Sequence, residues 1–381
     1  MPWKESTCMT QRREFVLLAN VPEVNVSQLC NRFGISRKTG YKWRSRFQTE
    51  DAQTLADQSR RPHRSPRRTL ASIEDQVLAL RAEHPAWGGR KLRARLLALG
   101  HASVPSASTI TAILHRHQQI APEAAAQHQS FRRFEHPEPN DLWQMDFKGH
   151  FATAAGRCHP LTVLDDHSRF ALELRACADE GHQTVQNALT TVFRRYGLPW
   201  RMTMDNGHPW GVYIEGRCRW TRLTVWLLRL GVRVSHSRPF HPQTQGKDER
   251  FHRTLKVELL RDHAWRDLHE CQVRFADWRD QYNCQRPHEA LQMQVPAARY
   301  QVSVRPFPER LPMVEYPSDK LVRRVQKNGL IYWHHKGYFV GEAFHGLDVA
   351  LRPTNSDGSH EVYFCNQQVA TLDLKEPPVQ S

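Results

Sequence analysis

The sequence lacks any long run of hydrophobic residues. Its best candidate, residues 223–234, is interrupted by Arg229 and Arg233 and is shorter than the roughly 20 residues of a transmembrane helix. A secretion signal is not indicated either, because Arg12 and Arg13 stand where its apolar segment would lie. These absences argue against a membrane partner and predict a protein that stays in the cytoplasm.

Paired cysteines are also missing. The eight cysteines include no CxxC spacing, so the pattern predicts neither a disulfide framework nor a zinc site of ordinary spacing. We expect reduced thiols with structural roles.

Acidic residues are outnumbered by basic ones. The chain has 39 Asp and Glu against 54 Lys and Arg, for a formal charge of +15. This excess favours a polyanionic partner such as nucleic acid. At 381 residues the chain exceeds what one hydrophobic core usually organises, so we expect several domains.

Residues 10–50 have the pattern of three short helices. Ser27 is expected to cap the second helix, Gly34 to turn the chain, and Ser36 to cap the third, basic helix. This order is typical of a helix-turn-helix domain, whose second helix enters the major groove of DNA. A three-helix bundle with a solvated basic face is the alternative. The DNA-binding residues expected on the third helix are Arg37, Lys38 and Lys42.

Residues 51–72 are predicted to form an extended basic linker. The segment SRRPHRSPRR holds five arginines, two prolines and no acid, so it cannot build a core and is suited to lie along DNA. A second helix-turn-helix-like unit is expected at 73–120 and a connector at 121–139. The linker arginines expected to contact DNA are Arg60, Arg61, Arg64, Arg67 and Arg68.

The pattern changes from helical to strand-like near residue 140. Three short apolar runs precede alternating helices and strands, which predicts a five-stranded mixed sheet with helices on its faces over 140–300. Residues 318–376 read as strands separated by turns, and we expect a small β-barrel. The predicted class is multidomain, with all-α units, an α/β core and a β-rich end.

Two acids stand out by position within the predicted core. Asp146 lies inside the first strand and Asp205 ends the fourth. A carboxylate among apolar residues is costly unless it is paired or bound to a metal. If the two strands are neighbours, the carboxylates repel each other and favour a hard cation such as Mg2+.

Glu249 is the third candidate acid. On its predicted helix it shares one polar stripe with Arg253 and Lys256, which suits a phosphate backbone held near metal ions. An exposed salt bridge between Glu249 and Arg253 is the alternative. Four competing acids rank lower, two because they point elsewhere on the helix; they are Asp165, Asp166, Asp248 and Glu258.

Five motifs together resemble the catalytic core of insertion-sequence transposases of the Asp-Asp-Glu class, which are similar to retroviral integrases. They are WQMDFKG, LTVLDDHSRF, MTMDNG, HPQTQGKDERFHRTLK and YNCQRPHEAL, in that order. The resemblance implies a ribonuclease H-like fold with Asp146, Asp205 and Glu249 as catalytic residues and metal ligands. It also maps Lys256 onto the basic residue two turns after the glutamate and makes Asn206 part of the turn that sets Asp205.

The chain departs from these families in two respects. Between Asp205 and Glu249 lie 43 residues, several more than in many relatives, and residues 211–220 look like an extra loop. The N-terminal His/Cys zinc site of integrases has no counterpart here. The helical units are therefore expected to recognise the DNA ends.

The resemblance implies a DNA transposase of a bacterial nucleoid that binds the terminal repeats of an insertion sequence, then cuts and joins DNA. Two Mg2+ or Mn2+ ions, bridged by Asp146, are expected to activate water and then the freed 3' hydroxyl. Arg253 and Lys256 would position phosphates, and bringing two ends together needs at least a dimer on element and target DNA. The alternatives are a nuclease of the same fold and a catalytically silent DNA-binding regulator.

Overall fold

A computed structural model describes residues 7–47, 52–57, 68–120, 135–205, 207–214, 217–236, 246–261, 263–333, 335–356 and 358–375. It divides the chain into two units that meet in sequence at Arg68, and each is described by itself. Several residues named above lie outside the described ranges; they are Arg60, Arg61, Arg64, Arg67 and Asn206.

The first unit is all-α, as predicted. Its helices are α1 (Cys8–Ala19), α2 (Val26–Arg32) and α3 (Arg37–Arg46), followed by a short 3-10 turn at Ala52–Leu55. Buried side chains from all four elements form its core; they are Phe15, Val16, Ala19, Leu29, Cys30, Trp43 and Leu55.

The caps of α2 and α3 set the turn between them. Ser36 caps α3 as predicted, with its side chain accepting from a backbone N–H one turn on. The predicted cap of α2, Ser27, is wrong: Asn25 accepts from the backbone N–H groups of Ser27 and Gln28. Asparagine caps helices as well as serine does, so the helix begins earlier. Gly34 adopts a φ of 62° between the helices, which glycine does without steric cost.

The second unit begins with another three-helix domain. It consists of α4 (Ala71–Glu83), α5 (Gly89–Ala98) and α6 (Ala107–Arg116). Ser106 caps α6, and the buried Glu74 forms an ion pair of 2.6 Å with Arg116 near the end of that helix. The helical character predicted for this part of the chain is thus confirmed.

A mixed β-sheet forms the centre of the second unit. Its strands are β1 (Trp143–Phe147), β2 (Phe151–Thr153), β3 (Gly156–Asp165), β4 (Ala171–Cys177), β5 (Arg201–Met204) and β8 (Arg233–His236). The main order is β4-β3-β1-β5-β8, antiparallel on the β3 side of β1 and parallel on the β5 side. The mixed sheet is confirmed, with the short β2 as a sixth strand pairing with β3.

Helices cover both faces of this sheet. On one face lie α7 (His182–Tyr196) and α8 (Arg222–Arg229), and on the other α9 (Gly246–Leu255) and α10 (Leu268–Cys284). The helix predicted over 246–260 gives way to a π-helical turn, Lys256–Leu260. The expected extra loop is a hairpin of β6 (Gly211–Ile214) and β7 (Arg217–Trp220).

The predicted C-terminal β-barrel is wrong for the described residues. An open antiparallel sheet has the order β14-β13-β12-β9, and β10 pairs only with β11. The strands are β9 (Leu321–Arg324), β10 (Leu330–Trp333), β11 (Lys336–Phe339), β12 (Asp348–Pro353), β13 (Ser359–Phe364) and β14 (Gln367–Asp373).

The start of β14 is tied to the core sheet instead. The Gln367 amide accepts from the backbone N–H of Val234 at 2.9 Å and donates to its carbonyl at 2.6 Å. The indole of Trp220 donates to the Val369 carbonyl at 2.9 Å. The apolar face of the C-terminal sheet joins the same core as α7 and α8, so burial is achieved without closing a barrel. None of the described helices is long and apolar enough to cross a membrane.

Candidate active site and nucleic-acid interface

Asp146 and Asp205 lie at the same edge of the central sheet. Strands β1 and β5 run parallel with Trp143 opposite Met202 and Gln144 opposite Thr203, and continuing this register places the two acids level with each other. Burial, and next the carboxylate of Asp205, raise the pKa of Asp146 to about 7. Burial also raises the pKa of Asp205. The pair therefore favours a bound cation.

The turn after β5 fixes the Asp205 side chain. The backbone N–H of Gly207 donates to Asp205 Oδ1 at 3.0 Å, and a Cβ on Gly207 would lie 3.2 Å from Oδ2. His236 Nδ1 lies 2.9 Å from the Asp205 carbonyl oxygen. The lack of a side chain at Gly207 lets the backbone approach the carboxylate closely.

His252 on α9 was not predicted as part of this site. The Thr162 hydroxyl donates to the Asp146 carbonyl at 2.9 Å, so its oxygen accepts from His252 Nε2 at 2.9 Å. The other ring nitrogen, Nδ1, then lies 3.8 Å from Asp146 Oδ2. Burial lowers the pKa of His252 to about 3, which keeps the imidazole neutral beside the acid.

The first turn of α9 differs from the prediction. Asp248, expected to point elsewhere, is 1% exposed and packs with Phe251, His252 and Leu255 on the inner side of the helix. Glu249 is exposed. Among the residues the structure describes, no three His, Cys, Asp or Glu side chains lie close enough together to hold a metal ion. The structure thus brings Asp146 and Asp205 together but does not add Glu249 to them.

Asp165 and Asp166 are held by hydrogen bonds and an ion pair within the protein. Asp165 accepts three hydrogen bonds of 2.6 to 2.8 Å, one from the Asn140 backbone and two from Ser168. Asp166 forms an ion pair of 2.5 Å with Lys247, the second residue of α9. These acids anchor the chain around the site, and Lys247 ties the start of α9 to the end of β3.

Glu258 is likewise paired, at 2.9 Å from Arg286 Nε. The predicted phosphate contacts Arg253 and Lys256 are exposed, as is Arg250, which the prediction omitted. No ion pair is described for these three side chains in the ranges given above, so all three present positive charge to solvent near Glu249.

The first unit presents its own basic face on α3. The predicted contacts Arg37, Lys38 and Lys42 are exposed, and Tyr41 lies among them with 53% of its surface accessible. Tyr41 is an aromatic side chain that prediction by charge alone missed. Of the linker arginines, Arg68 is described and is exposed.

Family comparisons match most of this architecture. Two models described as integrase core domain match residues 136–242 and 230–296. A helix-turn-helix domain matches 11–63, a homeodomain-like domain 39–114, and the C-terminal domain of IS481 family transposases 320–380.

Curated relatives include two proteins of bacterial insertion elements. The uncharacterized 31.7 kDa protein of element IS407 from Burkholderia multivorans is 28% identical over 159 residues, which are 42% of this chain and 54% of that protein. The uncharacterized 39.2 kDa protein of IS476 from Xanthomonas euvesicatoria is 28% identical over 167 residues, 44% of this chain and 46% of that protein. The chain spans about half the length of the curated relatives it matches.

Solved structures with similarity include two from retroviruses. The HTLV-2 integrase catalytic core domain in complex with magnesium is 13% identical, with a TM-score of 0.33, over 43% of this chain and 99% of that one. A chain of the simian T-cell lymphotropic virus intasome, in complex with a PP2A regulatory subunit, is 17% identical, with a TM-score of 0.37, over 77% of this chain and 99% of that one.

The mixed sheet, its pair of edge carboxylates and the matched core models define a protein with an integrase core domain. Helix-turn-helix models match the chain before this core and a transposase C-terminal domain model matches after it, so the chain is similar to insertion-sequence transposases that have an integrase-like core.

Proposed function

We propose that this chain binds the terminal repeats of an insertion sequence, cleaves DNA at the element ends and joins those ends to target DNA. The observation that carries the proposal is the pair Asp146 and Asp205. Their carboxylates lie level at one sheet edge, and the carboxylate of Asp205, after burial, raises the pKa of Asp146. Such a pair is suited to hold cations against phosphates.

The donor set fits Mg2+ or Mn2+, because both prefer oxygen ligands and the two acids are short of positive charge. Two such ions supply an activated water or hydroxyl nucleophile and stabilise the leaving oxygen. Asp146, Asp205 and Glu249 are the residues we assign to hold them. The Thr162 hydroxyl, which is itself bound by His252, donates to the backbone carbonyl of Asp146 and so positions that residue.

The basic side chains hold the DNA. Arg253 and Lys256, with Arg250, face solvent on the same helix as Glu249 and are placed to contact phosphates beside the acids. The exposed residues Arg37, Lys38 and Lys42 of α3 bind the element ends, together with the arginines of 60–68. Joining two ends requires at least two copies of the chain on DNA. The setting we propose is the nucleoid of a bacterium.

The test is a strand-transfer assay with the full chain, Mg2+ or Mn2+, a labelled duplex of the terminal repeat and a supercoiled target. We expect joined product from the wild type and none from Glu249→Gln. The exposed acid Asp280 on α10 gives the matched control Asp280→Asn, which should join as the wild type does. Cleavage without joining would identify a nuclease. Specific binding without either reaction would identify a regulator.

A further inference from the structure

Asp248 is a buried acid with no hydrogen-bond partner among the described residues. It is 1% exposed, and among the described residues neither of its carboxyl oxygens has a donor or acceptor within reach. It is also the only carboxyl among the unpartnered buried groups of the described chain. Such a group in a native structure calls for an explanation, for example a catalytic role or a missing ion.

Protonation does not satisfy this side chain. An ionised carboxylate in the interior needs a cation or several donors, and a protonated one still needs an acceptor for its hydrogen. The described residues around Asp248 offer neither. A plain core position would be better filled by an apolar side chain of similar size. The position therefore lacks a partner in both protonation states.

The charges nearest to Asp248 show which partner is lacking. Asp146 and Asp166 are the two acids that act on it most strongly. Asp166 is already bound by Lys247 at 2.5 Å and by the Gln144 amide at 3.0 Å. Asp146 has no described ion pair with a lysine or arginine, and its histidine neighbour is neutral. Asp146 and Asp248 therefore act on each other while neither has a described ion pair with a lysine or arginine.

Helix geometry aims Asp248 at β1. It lies one turn before His252, which contacts Thr162 and approaches Asp146, so both side chains share the inner side of α9. Glu249 is rotated by about 100° toward solvent. The two consecutive acids thus face different sides of one helix turn, with Asp248 on the side of the sheet.

We infer that Asp248 is a further carboxylate of the metal centre, and that its oxygens bind a divalent cation together with Asp146, directly or through water. The inference rests on the proposed function only in taking Asp146 as a metal ligand. Ions of this kind take about six oxygen ligands each, from carboxylates, water and phosphate, so a two-ion centre has coordination positions that a further carboxylate can fill. Glu249 is not displaced from its proposed role.

The experiment measures Mn2+ binding to the full chain without DNA, by isothermal titration calorimetry and by the shift in melting temperature. In Asp248→Asn we expect the metal-free melting temperature to rise, because a buried acid is removed. Mn2+ affinity should fall tenfold or more, within the range that metal-site partners control. The melting temperature gained on adding Mn2+ should shrink accordingly. Asp280→Asn should match the wild type in all three measurements.

An Asp248→Asn protein with wild-type Mn2+ affinity would overturn the inference and leave Asp248 as a buried acid only. If that variant does not fold, Asp248→Ala removes the carboxyl without adding an amide that needs partners. Asp146→Asn separates the two proposals. If it lowers affinity while Asp248→Asn does not, only the present inference fails. If the wild type itself binds no Mn2+, the proposed metal chemistry fails with it.

Discussion

His252 and Thr162 form a buried hydrogen bond of 2.9 Å that connects helix α9 to strand β3. The same Thr162 hydroxyl donates to the backbone carbonyl of Asp146. One side chain on the helix therefore positions one acid on the sheet. In Thr162→Val the hydroxyl is lost with little change of shape, so we expect the strand-transfer rate to fall 10- to 100-fold, as for other residues that orient metal ligands.

A double-mutant cycle checks this prediction. His252→Leu should have an effect similar to that of Thr162→Val, and combining them should cost less than the sum because both remove one connection. Mn2+ affinity, measured in the same four proteins, should follow the rates. Fully additive effects would mean that the two side chains act separately on Asp146.

Gly40 gives a prediction for the first unit. Alanine is favoured over glycine in a helix by about 1 kcal/mol. At Gly40, however, a Cβ would lie 2.5 Å from Cys30 Sγ and 2.8 Å from Phe15 Cζ. Overpacking of a core typically costs about 1–3 kcal/mol, so we expect Gly40→Ala to lower the free energy of unfolding despite its better helix propensity.

Chemical denaturation of the full chain measures this change, and Ser45→Ala is its control. Ser45 is exposed on the same helix, so its substitution should change stability by less than about 0.5 kcal/mol. Binding of terminal-repeat DNA should weaken in the Gly40 variant as α3 loses its position. A Gly40→Ala protein as stable as the wild type would show that Phe15 and Cys30 can move aside.

The sequence allowed Asp146 and Asp205 to be placed because Asp146 lies within a short apolar strand and Asp205 ends another, which are local signals. The inner side of α9 was harder to predict. Asp248 and His252 occupy the first and third positions of an i, i+3, i+4, i+7 stripe completed by Phe251 and Leu255. The prediction treated that stripe as apolar and so overlooked Asp248 and His252. Two polar residues within a buried stripe are themselves a signal of a functional site.

The prediction of a C-terminal barrel was wrong for a different reason. Turn residues such as Asn328 and Gly329 predict where strands end, but they carry no information on which distant strands pair. The hydrogen bonds of Gln367 to Val234 join residues that are far apart in the chain. Closure depends on such long-range contacts, and a single sequence does not encode them in any local pattern.

The raised pKa of Asp146 predicts how stability depends on pH without metal. Its pKa in the fold is about 7, whereas an unfolded aspartate titrates near 3.9. The folded state thus holds the proton more tightly. The contribution of protonated Asp146 to the stability of the fold is complete below about pH 4 and is lost as pH rises through about 7. We expect the melting temperature in EDTA to fall over this range.

Asp146→Asn isolates this contribution, because asparagine does not titrate. The difference in melting temperature between wild type and variant should grow in favour of the variant as pH rises. Calorimetric scans across the pH range give that difference directly. If the difference stays constant, Asp146 does not titrate with a raised pKa in the metal-free protein.

The exposed face of α3 predicts a salt-dependent contact with DNA. Lys42 is exposed there beside Tyr41, and a lysine that neutralises one phosphate releases about one counterion. Lys42→Gln should therefore weaken binding of the terminal repeat and of unrelated duplexes alike, and lower the slope of log affinity against log salt by about one.

Tyr41→Ala should act differently, because an uncharged side chain leaves the slope unchanged and can reduce only the preference for the terminal repeat. Arg13→Gln removes an exposed charge from α1 and serves as the control. An unchanged slope in Lys42→Gln would exclude a phosphate contact at this position and assign end recognition to other basic residues of the chain.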